Sequence, residues 1–399
     1  MEIQFQRKID RLLGVIICRL FSVFGRKKKV PLSERLPNKI LVILLSEMGS
    51  LALANPMFQH IKEKYPTSSI YVLLFEQNRE FLDVLGVIDF DNVITISNAS
   101  ILRMITTSIR AVFKIRKLKV YAVIDCELFS RISSIFSFLS GAEITAGFHP
   151  HTQEGLYRGN FMNRPVLYNP YVHISQQFIT MADALESRQV PTVKRKIPEE
   201  ELELPMMELE DKEIEEMQRQ FEADFPEVKW KKLILIYPGG GLLPIRAWPI
   251  ENFCDIAEDF LQNDYSVGII GMEGDKTLAG VITSRCGNER CIDLTGYTKT
   301  VRDLMVIFHF ASLLITNDGG PGHFAAMTPM PTITLYGPET PLLYGPLSKR
   351  SYNFYAGLSC SPCLTAYNHR NSPCDGDNLC LKYIKPENVL AKAYEIVKA

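Results

Sequence analysis

Nowhere in its 399 residues does the chain carry an uncharged apolar run near the ~20 residues of a membrane-crossing helix, so no spanning helix is expected. Neither charge sign is in excess. With 44 Lys and Arg against 45 Asp and Glu, a net charge of −1 argues against whole-protein attraction to nucleic acid. No zinc-finger or RNA-binding pattern is present. The nine cysteines are too few and too scattered for a disulfide scaffold. Cys18, Cys126, Cys254, Cys286 and Cys291 lie in apolar or helical contexts and read as buried, reduced thiols. Cys360-x2-Cys363 and Cys374-x5-Cys380 cluster, with His369 as a spare donor. Zinc ligation and plain packing are both open for that cluster, and no metal is assigned. The glycine loop Pro238 to Gly241 lacks both the Walker ending GKS/T and the Rossmann glycine spacing. There is no low-complexity tract and no repeat beyond a doubling of the chain into two similar halves.

What remains is a globular composition, 46% apolar and 22% charged, on a chain long enough for two or three domains. Three strand–loop–helix elements stand out. Leu233 to Tyr237 reads as a strand, followed by Pro238-Gly239-Gly240-Gly241, then Arg246-Ala247-Trp248-Pro249 and a helix from Glu251 to Leu261. Three consecutive glycines after a strand suit a backbone nest for phosphate, and the Arg246 guanidinium suits two phosphate oxygens. The apolar run Ala311 to Ile315 leads into Thr316-Asn317-Asp318-Gly319-Gly320-Pro321-Gly322-His323 and a helix beginning near Phe324. That turn reads either as an anion site at the C-terminal edge of a sheet or as a tight connection with a capping aspartate. Lys39 to Leu45 is a third buried strand, with Ser46-Glu47-Met48-Gly49-Ser50 as its turn and a helix from Leu51.

Along the chain, residues 1–30 read as an amphipathic basic helix: Ile9, Leu12, Leu13, Ile16, Ile17 and Leu20 recur at helical spacing, and Arg26 to Lys29 close it. The reading is an in-plane anchor on an anionic leaflet, the competing reading a helix packed on the protein's own body. Arg19 interrupts the apolar face and no cleavage site follows, so a signal peptide is not expected. Residues 37–185 alternate strands and helices and form a first domain. Within it, Ile101 to Lys119 is a basic helix suited to a phosphorylated acceptor, a membrane surface or plain solvent. The loop bearing Gly147, Tyr157, Arg158 and Tyr168 reads as a lid. Residues 186–228 are an acidic linker followed by a surface helix, and 229–399 a second domain with a cysteine-bearing tail. Thr300 and Asp303 form a capping box, and Gly337-Pro338-Glu339-Thr340 is another turn at a strand's end.

Taken in order, ILVILLSEMGSLALANP, PGGGLLPIRAWP, LLITNDGGPGHFAAM and CSPCLTAYNHRNSPCDGDNLC resemble glycosyltransferase family 9, the lipopolysaccharide heptosyltransferases, from about Lys39 to the C-terminus. The resemblance implies a GT-B fold, two Rossmann-like doubly wound domains facing a central cleft. It implies inverting, metal-independent transfer from a nucleotide-sugar, ADP-heptose, to a lipopolysaccharide core or related glycolipid. The implied location is the cytoplasm, at the inner face of the bacterial inner membrane. No cofactor beyond the donor is implied. Position by position, Asp318 matches the donor-sugar contact, and Gly319, Gly320, Gly322 and His323 the surrounding loop. Arg246 matches a basic residue, usually lysine, on the donor diphosphate, with Gly239, Gly240 and Gly241 beside it. Glu273 falls where the nucleoside is held.

One departure bears on chemistry. The family's N-terminal loop ends in Gly-Asp, the presumed base, and here the pair is Gly49-Ser50. Serine is no general base at neutral pH without a partner. Glu47 is therefore the first candidate, and Asp125 and Glu127, after the strand Val120 to Ile124, the second. Arg131 and His173 are expected on the acceptor side. A catalytically impaired member serving as a binding subunit, and an epimerase-like GT-B enzyme, are the alternatives.

Overall fold

The computed structural model describes residues 10–24, 36–45, 47–148, 157–187, 193–368 and 370–398. Two compact units divide at Leu202 and Glu203. Expectations that fall on Ile9, on Arg26 to Lys29, on Ser46, on the centre of the loop after Phe148 and on His369 lie outside the described residues.

The first unit opens with a π-helical turn, Asp10–Gly14, running into α1 (Val15–Phe24). Then come β1 (Lys39–Ile43), α2 (Met48–Lys64), β2 (Ser69–Phe75), α3 (Arg79–Leu85), β3 (Val93–Ile96), α4 (Ile101–Leu118), β4 (Ala122–Asp125), α5 (Arg131–Ser140), β5 (Ile144–Phe148), β6 (Arg164–Val166) and α6 (Ile174–Asp183). The strands lie in the order β3-β2-β1-β4-β5-β6, all parallel. β1, β2 and β4 are almost wholly buried, as strands covered by helices on both faces must be. Ser100 and Ser130 cap α4 and α5 through their hydroxyls, and Gly141 ends α5 at φ 71, where a side chain would be strained.

The second unit contains α7 (Asp211–Asp224), β7 (Leu233–Tyr237), α8 (Ile250–Gln262), β8 (Ser266–Gly271), α9 (Lys276–Cys286), β9 (Cys291–Thr295), α10 (Val301–Phe310), β10 (Leu313–Asn317), α11 (Gly320–Ala325), β11 (Thr332–Tyr336), α12 (Pro341–Tyr344), β12 (Ser351–Tyr355), α13 (Leu379–Lys382) and α14 (Pro386–Val397). Its order, β12-β11-β10-β7-β8-β9, is again parallel throughout and repeats the topology of the first. Thr300 and Asp303 form the capping box of α10. In each unit the order reverses between two central strands, β1/β4 and β7/β10, and the crevice beyond their C-terminal ends is where such sheets take ligands. α7 is more than a solvated surface helix: Phe221 is buried against Tyr297 and Phe310, and Arg302 grips Glu213 with two hydrogen bonds of 2.7 and 2.8 Å.

Two local readings change. α2 begins at Met48, so Gly49 and Ser50 belong to its first turn, with Glu47 at the N-cap. α11 begins at Gly320 because Pro321 suits a first helical turn, so the glycines after Asp318 are largely helical. The described ends of the expected lid belong to the core: Tyr168 packs edge-on against Phe129 and Phe148, and Arg158 is buried.

Candidate active site

The second unit gathers four charged side chains at its switch point. Arg246 follows β7, Asp318 follows β10 and Glu339 follows β11. Arg246 Nε lies 3.5 Å from Asp318 Oδ2, and Arg246 Nη2 donates to Glu339 Oε2 at 2.5 Å. Arg370, from the cysteine-bearing segment, reaches the other oxygen of Glu339 at 3.3 Å, with its guanidinium over the Tyr344 ring. Arg246, Asp318 and Glu339 are all buried.

The backbone makes this arrangement stiff. Asn317, fully buried, donates to the carbonyls of Pro238 and Gly239 at 2.9 and 3.1 Å and accepts from Trp248 N–H at 3.0 Å. One side chain thus ties the glycine loop, the arginine turn and the end of β10 together. Trp248 is fixed in turn by its indole N–H, which donates to the carbonyls of Leu381 and Ile384. The tail is pinned from the other side: Cys363 and Leu364 N–H both donate to the Pro338 carbonyl at 2.9 Å, and Asn378 to the Ile245 carbonyl at 2.9 Å. Gly240 has no room for a side chain, since a Cβ there would sit 2.8 Å from the Leu243 carbonyl oxygen, and Gly241 adopts φ 58.

Burial pushes the Glu339 carboxyl up to about 7, against the pull of Arg370 and Arg246, and Asp318 raises it further. A carboxyl that shares its proton near neutrality beside two arginines is a feature of functional sites. Burial likewise pushes the Tyr237 hydroxyl, beneath the glycine loop, up to about 12. Gly319, Gly320, Gly322 and His323 continue from Asp318 along α11, His323 being buried. Glu273 stands in the turn after β8, mostly exposed and 3.6 Å from Lys276.

In the first unit, Glu47 and Ser50 stand at the start of α2, half-buried, beyond the end of β1. The loop presenting Glu47 is held at Leu45, whose N–H donates to Glu127 at 2.6 Å and whose carbonyl accepts from Asn78 at 2.7 Å. Glu127 is therefore a tether. Asp125 is fully buried, ion-paired with Arg158 and hydrogen-bonded by Ser137. Desolvation raises its carboxyl, opposed by Arg158. Asp125 and Glu127 are thus buried and engaged within the fold, and Glu47 is the most exposed of the three carboxylates. Arg131 is turned to Asp10, 3.1 Å away, in place of open solvent, and His173 caps α6, its Nδ1 accepting from Ser175 N–H at 3.3 Å. Both are engaged in structure at the positions where acceptor contacts were expected.

The thiols of Cys360, Cys363, Cys374 and Cys380 are free, and among the described residues no three His, Cys, Asp or Glu side chains gather as metal ligands. Sequence reasoning missed Arg370, Asn317 as the clasp, and Asn78. Only Asn317 carried a signal, as a buried amide directly before the Asp-Gly-Gly turn.

A family model described as Glycosyltransferase family 9 (heptosyltransferase) matches residues 130–372. Lipooligosaccharide heptosyltransferase 2 of Haemophilus ducreyi is 24% identical over 322 residues, covering 78% of this chain and 87% of that one. Lipopolysaccharide heptosyltransferase 3 of Escherichia coli is 22% identical over 77% of this chain and 85% of its own. The fold is shared with the E. coli ADP-heptose LPS heptosyltransferase II, at a TM-score of 0.68 and 19% identity over 90% of this chain and 98% of that one. It is shared as well with a family 9 glycosyltransferase of Veillonella parvula, at 0.70 and 20% over 92% and 99%. With the match spanning more than half its length, the chain belongs to glycosyltransferase family 9.

Proposed function

We propose that the protein moves a heptose from ADP-heptose to a lipopolysaccharide core or related glycolipid, with inversion at the anomeric carbon. The observation that carries this reading is the buried Arg246 guanidinium, held against Asp318 and Glu339 beside the glycine loop at the β7/β10 switch point. A guanidinium there suits the diphosphate of a leaving nucleotide. The heptose is suggested by the names of the relatives.

In this reading the acceptor oxygen attacks the anomeric carbon opposite the diphosphate. The new C–O bond forms as the bond to the diphosphate breaks, and the acceptor proton passes to Glu47. Negative charge grows on the departing diphosphate. Arg246, itself buried, meets that charge together with the backbone N–H groups of Gly239 to Gly241. Asp318, Gly319, Gly320, Gly322 and His323 border the sugar, and Glu273 the nucleoside. The setting is the inner face of the bacterial inner membrane.

The test is a thermal-shift panel of ADP-, UDP- and GDP-sugars. An ADP-sugar at ~100 times its Kd adds about 2.7 kcal/mol to stability by mass action. A shift with UDP- or GDP-sugars and none with ADP-sugars would sink the donor assignment.

A further inference from the structure

We propose that α1 and α4 together form a docking face for an anionic lipid bilayer. Both helices pack on α5, and each carries an apolar stripe that the described residues leave uncovered. On α4 the stripe is Leu102, Ile105, Ile109 and Phe113, at spacings of three and four residues and opposite the buried Ala111 and Ile115. Leu102 and Phe113 are each 72% exposed. Arg103, Arg110 and Lys117 run along one flank, all exposed. From Ile101 to Lys119 there is no acidic residue.

α1 is seated on α5 by specific contacts. Asp10 accepts hydrogen bonds from the N–H groups of Arg131 and Ile132, both at 2.9 Å, at the start of α5. Gly14 packs so closely that a Cβ there would lie 2.8 Å from Arg131 Cβ. Phe21 stacks on Phe138 at 4.9 Å, and Ser22 meets the Tyr157 hydroxyl at 2.8 Å. With Gly14, Cys18 and Phe21 turned inward, Leu12, Leu13, Ile16, Leu20 and Val23 point out, Val23 at 76% exposure. The apolar face read from the sequence is thus divided: part holds the helix to the body, and part remains for a partner.

Apolar stripes rimmed by arginine and lysine, with no acidic residue on α4, match a surface that is hydrocarbon beneath and anionic above. Long basic side chains lie along the boundary with their charges in the headgroup layer. A second copy of this chain is a poorer occupant, because an isologous contact sets the basic rows of two copies against each other. The face stands independently of the transfer reading, since lipid binding needs neither donor nor sugar acceptor.

The test is co-sedimentation of the full chain with phosphatidylglycerol–phosphatidylethanolamine vesicles that hold no glycolipid, beside pure phosphatidylcholine vesicles. The protein pellets with the anionic vesicles, weakly with the neutral ones, and less as salt rises. The double variant L102S/F113S loses at least about tenfold in partitioning, and R103E/R110E a comparable factor. Both change only exposed positions, and an unchanged melting temperature and ADP-induced shift verify that the fold and donor site persist. L12S/L20S gives the same loss from α1. Undiminished pelleting of L102S/F113S, indifference to lipid charge, or pelleting only after a glycolipid acceptor is added would overturn the proposal. So would a wild-type dimer, with no vesicle binding, that L102S/F113S converts to monomer.

Discussion

Arg246 and Glu339 form a buried ion pair at 2.5 Å, while the far oxygen of the same carboxylate meets Arg370. The arginine proposed for the leaving diphosphate is thus already occupied by a carboxylate whose own charge is costly. A diphosphate arriving at Arg246 competes with Glu339, and protonation of Glu339 eases that exchange.

Removing the guanidinium tests the donor role. Arg246→Ala lowers kcat by about 100-fold or more, the usual effect of losing one donor aimed at developing charge. Arg246→Lys keeps the charge and retains more activity than the alanine variant. Steady-state kinetics measure both, with circular dichroism confirming the fold.

Glu339 gives the protein a pH-dependent stability. Its folded value lies near 7, above the ordinary 4.5, so its contribution is complete below pH 4.5 and lost as pH rises through 7. At about 1.4 kcal/mol for each unit, the loss is about 3 kcal/mol. Glu339→Gln flattens that slope, so its melting temperature gains on the wild type between pH 5 and 8. In Arg370→Gln one of the two neutralising cations is gone, and the transition moves to higher pH. Melting curves across that range read both effects.

Glu47→Gln and Asp125→Asn separate catalysis from structure. The first lowers kcat while leaving the melting temperature in place, because Glu47 is half-buried at a helix start. The second leaves Arg158 buried without its ion-pair partner and costs about 3–5 kcal/mol of stability. Full activity in Glu47→Gln returns the base to another group or to solvent.

Asp10→Ala removes the acceptor at the start of α5 and loosens α1. Losing such a cap costs about 1 kcal/mol, and hydrogen exchange along residues 15–24 accelerates while the β1 strand stays protected. Unchanged exchange in α1 would mean that Phe21 and Ser22 suffice to seat it.

Much of the fold was legible because parallel strands buried on both faces leave continuous apolar runs, as Leu233 to Tyr237 and Lys39 to Ile43 do. The glycine loop and the Asp318 turn were legible because each follows such a run directly. Arg370 was not: it lies in an irregular segment, and only the pinning of Cys363 and Leu364 to the Pro338 carbonyl carries it to Glu339. Nor could spacing separate Arg131 as a clamp for Asp10 from an acceptor contact, because the partner is distant in the chain. The periodicity of α1 showed an apolar helix, but tertiary packing decided which side chains turned inward.

The most direct measurement is acceptor-dependent ADP release from ADP-heptose, using a heptose-deficient lipopolysaccharide core as acceptor and both the wild type and Arg246→Ala. The predicted result is stoichiometric release that needs the acceptor and falls about 100-fold or more in the variant. Wild-type release that ignores the acceptor, or equal rates in the two proteins, would contradict sugar transfer through Arg246.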